Sequence, residues 1–141
     1  MSQTQLTQPA RRPLRICVVE NHADTRHMLR VLLRQQGHDV DLAECLVAAR
    51  ALFDRQAFDV LISDIGLPDG DGWQLLEDLV RQQAPPQHLF AIAISGYGTS
   101  ADHARSLAAG YRYHLVKPVA LASLLPLLRE AADSAGLTTE A

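Results

Sequence analysis

The stretch Val60-Leu61-Ile62-Ser63-Asp64-Ile65-Gly66-Leu67-Pro68-Asp69-Gly70-Asp71-Gly72 runs from an apolar segment into a loop crowded with carboxylates and glycines. Residues 60–63 lack polar alternation, as a strand covered on both faces should. Working outward, four more short apolar runs occupy residues 15–19, 39–43, 89–95 and 112–116. Longer segments between them carry apolar residues at helical spacing, and this alternation argues for an α/β fold on a parallel sheet. The runs at 15–19, 60–63 and 89–95 are the ones without polar alternation, so they are expected at the centre.

The helical stripes read as Met28, Leu29, Leu32 and Leu33, then Leu46, Ala49 and Phe53, then Leu75, Leu76, Leu79 and Val80. A fourth helix around residues 101–108 has mainly alanines and Leu107 to bury. Gly37 and Gly110 stand where a left-handed residue would close a helix before the next strand. A last helix is expected over residues 121–132 with Leu121, Leu124, Leu125 and Leu128 inward and Leu127 on its flank. Pro126 costs about 3 kcal/mol in a regular helix interior, which predicts a kink or a late start.

With 141 residues, 48 % of them hydrophobic and 21 % charged, the chain suits one soluble domain, and no apolar run is long enough to span a bilayer. We expect an N-terminal arm over residues 1–13, a domain over 14–132 and a frayed tail over 133–141. The arm lacks the apolar centre of a secretory signal. Cys17 and Cys45 lie in apolar stretches without metal-ligand spacing, which fits a reduced, cytoplasmic setting. A net charge of −3 gives no footprint for a nucleic-acid backbone, so direct DNA binding is not expected.

Ligands of an open parallel sheet bind beyond the carboxyl ends of its strands. Those ends are Val19-Glu20-Asn21, Ile62-Ser63-Asp64, Ile94-Ser95-Gly96 and Val116-Lys117-Pro118. Two carboxylates, a hydroxyl and an ammonium therefore converge on one edge. Acidic character after the first strand, Asp after the third, Ser after the fourth and Lys-Pro after the fifth, with Pro68 and Gly72 in the intervening loop, together resemble a response-regulator receiver domain. The resemblance spans residues 14–132. It implies a flavodoxin-like three-layer (βα)5 sandwich whose five-stranded parallel sheet has the order 2-1-3-4-5.

The resemblance also implies roles. Asp64 is the phosphoacceptor, and Glu20, Asn21, Asp64 and the backbone carbonyl of Gly66 hold Mg2+. Lys117 pairs with a phosphoryl oxygen, and Ser95 donates a hydrogen bond to another. These types suit the chemistry, because phosphoryl transfer to a carboxylate needs a positioned nucleophile and cations around the transferring oxygens. Ser95 and His114 take the switch positions, with His114 replacing the usual aromatic residue and able to turn its ring towards Ser95 or outward. Asn21 replaces the usual second acid, which predicts weaker Mg2+ binding. Tyr97 is placed to overhang the site.

The implied partners are a histidine kinase or phosphotransfer protein and a downstream protein target. That target would dock on the face of the fourth helix, fifth strand and fifth helix, where a homodimer would also form. The alternative is a degenerate receiver acting as an interaction module without phosphorylation. An aspartate-nucleophile phosphatase would want an acid where Gly66 stands, and a flavin carrier would want a phosphate-cradling loop where Glu20 stands. The loop at residues 69–72 fails as a calcium loop because Leu67 would be its first ligand. The histidines, from His22 to His114, show no zinc-hydrolase spacing.

Overall fold

A computed structural model describes residues 13–82, 89–96 and 98–140, the last six as backbone only. The chain runs β1 (Arg15–Val19), α1 (Ala23–Gln35), β2 (Asp39–Ala43), α2 (Leu46–Arg55), β3 (Val60–Asp64), α3 (Gly72–Arg81), β4 (Phe90–Ser95), α4 (Ser100–Ala109), β5 (Tyr113–Val116) and α5 (Leu121–Glu140). A two-residue antiparallel ribbon pairs Gly66–Leu67 with Gly70–Asp71 between β3 and α3. The five main strands form one parallel sheet in the order β2-β1-β3-β4-β5. β1, β3 and β4 are interior, as their unbroken apolar runs predict.

Strand periodicity splits the core in two. Ile16, Val18, Val60, Ile62, Ile92 and Ile94 point to one face, where they meet Leu29 and Leu33 of α1 and Leu124 and Leu128 of α5. Cys17, Val19, Leu61, Ala91 and Ala93 point to the other, against Ala49 and Phe53 of α2 and Leu75, Leu76 and Leu79 of α3. The result is three layers, helices on both faces of the sheet. At β4 the alternation of Ile with Ala gives one bulky face and one flat face.

Four expectations change. Met28 and Val80 are exposed, because Leu29 with Leu33, and Leu75 with Leu76 and Leu79, already fill the inward arcs of α1 and α3. In α4 the buried residues are Ser106 and Ala109, while Leu107 is 60 % exposed. The inward arc of α4 is therefore one residue away from the one its hydrophobicity indicates. α5 starts at Leu121 rather than late, with Pro126 in its second turn. The carbonyl deprived of its donor belongs to Ala122, which is exposed and open to water, so the interruption is tolerated there. α5 also continues to Glu140, past the expected end near residue 132.

Two glycines are dictated by backbone. Gly110 caps α4 at φ 117°, a left-handed conformation, and a Cβ there would lie 3.1 Å from Leu76 Cδ2. Gly72 approaches the functional edge itself: a Cβ would stand 2.5 Å from the Asp64 carbonyl oxygen. Its N–H donates to Ile65 O at 2.8 Å, and the Tyr111 hydroxyl donates to Gly72 O. These contacts pin the loop that follows Asp64. Leu127 packs as a half-buried flank against the core on its side of the sheet.

Candidate functional site

The sheet register brings the chemistry-bearing residues level. Val19 pairs with Ser63, Asp64 with Ile94, and Ser95 with Val116, so Glu20, Asp64, Ser95 and Lys117 leave the sheet at one edge. Glu20 N–H donates to Ala43 O at 2.9 Å, and Lys117 N–H donates to Ser95 O at 2.7 Å, extending the backbone ladders into the site. Asp64 is 5 % exposed and Glu20 fully buried.

Lys117 Nζ joins the two carboxylates. It lies 2.7 Å from Asp64 Oδ2, 2.9 Å from Glu20 Oε1 and 3.1 Å from Glu20 Oε2. Burial works to raise the Glu20 carboxyl pKa, but hydrogen bonds from the His22 backbone, Lys117 and the His22 ring outweigh it and leave it lowered. Burial likewise works to lower the Lys117 ammonium, and its bonds to Asp64 and Glu20 leave it raised. Two carboxylates against one ammonium leave the pocket negative, a charge balance that favours a cation.

His22 closes one side. Its N–H donates to Glu20 Oε2 at 2.8 Å and its Nδ1 stands 2.9 Å from the same oxygen. Asn21 is exposed at the rim, its backbone carbonyl accepting from Arg26 Nη1 at 3.1 Å. Gly66 is also exposed; its N–H donates to Asp64 Oδ1 at 3.1 Å, and a Cβ there would meet nothing within 4 Å. The pocket is thus open on the Gly66 side.

Beside it, His114 turns inward. Its Nε2 lies 2.7 Å from Ser95 Oγ and its Nδ1 2.8 Å from Ser106 Oγ, which in turn accepts from Trp73 Nε1 at 2.8 Å. The neutral Nε2–H tautomer satisfies every partner: Trp73 donates to Ser106, Ser106 to His114, and His114 to Ser95. Burial and neighbouring His103 hold the His114 pKa below its ordinary value of 6.5, against the pull of Asp102. The His103 ring stacks on His114 with centroids 4.2 Å apart.

Comparison with known proteins decides the family. The model of the response regulator receiver domain matches residues 16–129. The chain belongs to this family. It is 33 % identical over 115 residues to an uncharacterized 14.6 kDa protein of Leptolyngbya boryana, covering 82 % of this chain and 87 % of that protein. It is 34 % identical over 114 residues to response regulator protein PilR of Pseudomonas aeruginosa, covering 81 % of this chain and 25 % of PilR. Over 132 residues it is 34 % identical to the virulence sensor protein BvgS of Bordetella bronchiseptica, covering 89 % of this chain and 10 % of BvgS. Among solved structures, a CheY-like receiver domain from Methanospirillum hungatei superposes with a TM-score of 0.79 at 26 % identity, covering 86 % of this chain and 95 % of that one.

As a receiver domain the chain belongs with phosphoacceptors rather than true enzymes, and its acidic pocket is where receiver domains bind Mg2+. The receiver assignment also implies a histidine kinase or phosphotransfer partner. Among the described residues, no helix is long and apolar enough to cross a membrane. The structure brings Glu20, Asp64 and Lys117 into direct contact and pairs Ser95 with His114. Tyr97 lies outside the described residues. Sequence reasoning missed His22, Ser106 and Trp73. A signal for His22 was present in its spacing, two residues after a strand-end glutamate; Ser106 reads as an ordinary surface serine of a helix and carries none.

Proposed function

We propose that Asp64 accepts a phosphoryl group from a histidine kinase or phosphotransfer protein and that the resulting charge resets the neighbouring switch. The observation that carries this reading is the buried Asp64 carboxylate at the strand end, held 2.7 Å from Lys117 Nζ with Glu20 in the same pocket. An Asp64 oxygen forms the new bond to phosphorus as the donor's bond breaks. Lys117 then exchanges a carboxylate for a phosphoryl oxygen as its partner. Ser95 accepts from His114 in the tautomer described above, and its hydroxyl would turn to donate to the phosphoryl group once that group is in place.

The residues present fit a divalent ion. Glu20 Oε1 is a buried oxygen without a hydrogen-bond partner, with Lys117 Nζ nearby only as an ion pair. Glu20, Asp64, the Asn21 amide and the Gly66 carbonyl would hold Mg2+, whose charge offsets the repulsion between carboxylates and incoming phosphate. Asn21 contributes an oxygen but no charge.

Output passes to a downstream protein through the α4–β5–α5 face, where Leu107 and Val116 are exposed and Leu127 half-buried. A homodimer would use the same face. A kinase partner places the chain in the cytoplasm. Asn21, neutral and turned to solvent, favours one second reading, a receiver that binds partners without being phosphorylated. Incubation with acetyl phosphate and Mg2+ separates the two by intact mass: an acid-stable, base-labile gain of one phosphoryl group, lost in Asp64→Asn, supports the first reading. No adduct at any Mg2+ concentration supports the second.

A further inference from the structure

We infer that the cation pocket is a mixed nitrogen and oxygen site, in which His22 adds an imidazole ligand to Glu20 and Asp64 and shifts selectivity towards a borderline transition ion of the Co2+ or Zn2+ class. This rests on the cation role of the pocket proposed above and goes beyond it in naming a ligand and an ion class.

One donor atom each from Glu20, His22 and Asp64 lies within 4.8 Å of the other two. Ligand bonds of about 2.0–2.2 Å put donors on opposite sides of one ion about 4 Å apart, so the trio needs only a small contraction to close on a shared ion. A second observation points to the same place: Glu20 is fully buried, and its Oε1 has no hydrogen-bond partner. That oxygen faces Lys117 Nζ at 2.9 Å, inside the pocket.

His22 is held ready by its own backbone. Its N–H bonds Glu20 Oε2 at 2.8 Å, a tight local turn that fixes the ring beside the carboxylate. The ring is otherwise 68 % exposed, so its single proton can move from Nδ1 to Nε2 through solvent and free the Nδ1 lone pair for the ion. The Nδ1–H bond to Glu20 is then replaced by an Nδ1–metal bond, with no net gain or loss of protons. Lys117 withdraws from Glu20 on its flexible stem.

The chemistry follows from the donor set. Mg2+ is hard and prefers oxygen, and here it meets a neutral amide at Asn21. Imidazole favours Co2+, Ni2+ and Zn2+ over Mg2+. His22 therefore supplies what Asn21 withholds, but for a different class of ion.

The test uses Co2+ as the probe on the whole chain, followed by visible absorption, with Mg2+ affinity measured by competition. His22→Ala should weaken Co2+ at least about tenfold while changing Mg2+ less than about twofold. The Co2+ form should show a hyperfine-shifted, exchangeable imidazole N–H proton resonance that His22→Ala abolishes. Asp64→Asn should also weaken Co2+, which separates this site from the other histidines. An unchanged Co2+ affinity in His22→Ala, or equal losses for both ions, overturns the inference. If an Asp64 adduct forms with Mg2+ while His22→Ala leaves the Co2+/Mg2+ ratio unchanged, this inference fails and the phosphoacceptor reading stands. If the ratio shifts in His22→Ala while no adduct forms with either ion, the mixed site stands and the phosphoacceptor reading fails.

Discussion

The acidic pocket and the imidazole chain beside it solve neighbouring problems with opposite chemistry. In the pocket, buried Glu20 and Asp64 and half-buried Lys117 are charged and joined by contacts of 2.7–3.1 Å. In the chain, Trp73, Ser106, His114 and Ser95 are linked by neutral donors and acceptors at nearly the same distances, 2.7–2.8 Å. A buried charged group left without its partner is costly, whereas a neutral hydrogen bond is worth about 1 kcal/mol net. The pocket is thus suited to hold ions and phosphoryl groups firmly, and the chain to rearrange.

Removing a member of each region should show the contrast. Lys117→Ala leaves two carboxylates facing each other and should lose about 3 kcal/mol in urea unfolding, with part of the loss recovered on adding Mg2+. A loss that Mg2+ does not touch would mean that the ion does not enter between these carboxylates. Gly72→Ala forces a Cβ against the Asp64 carbonyl and should cost about 2 kcal/mol in the same assay while leaving the His114 contacts alone. His114→Phe keeps a ring of similar shape and preserves the Trp73–Ser106 bond, so its loss should be nearer 1 kcal/mol. A loss as large as that of Lys117→Ala would erase the distinction.

The two regions should also answer to different pH windows. The lowered His114 pKa means that the unfolded chain binds the proton more tightly. The stability from neutral His114 is therefore complete above about 6.5 and is lost as pH falls through the lower folded value. His38, lowered mainly by burial and accepting from Leu14 N–H on Nδ1, adds a loss of the same sign. Glu20, lowered from 4.5, contributes stability above that value and loses it only as pH falls further. Lys117, raised from 10.5, contributes below that value and loses it as pH rises through the folded one. Thermal unfolding between pH 7 and 5 should show a smaller pH slope in His114→Phe than in the natural chain. An unchanged slope would remove His114 as the neutral-pH group. The smallest effect belongs to Asn21→Asp, which should tighten Mg2+ several-fold in a titration, since it adds one formal charge at the exposed rim.

How far each region was legible in the sequence follows from the same chemistry. Interior strands announce themselves because residues covered on both faces must be apolar, so β1, β3 and β4 and their order-defining central place could be read directly. Glu20, Asp64, Ser95 and Lys117 were legible because each directly follows or ends an apolar run. Of the imidazole chain, the Ser95–His114 pairing was legible from the switch positions, but the Ser106–Trp73 half was not, because Ser106 is buried by its hydrogen bonds rather than its hydrophobicity. The neighbouring Leu107 drew attention to the wrong arc of α4. The end of α5 was misjudged for a related reason: residues 133–140 lack an apolar stripe, yet nothing among them forces the helix to stop.

The central claim is that the phosphoryl group goes to Asp64, and the direct measurement locates it. Protein phosphorylated with acetyl phosphate and Mg2+ is reduced with borohydride, which converts an aspartyl phosphate to homoserine, and the modified position is read by tandem mass spectrometry. The account predicts homoserine at position 64 alone. Homoserine at Asp69 or Asp71, or none under conditions that bind Mg2+, would contradict it.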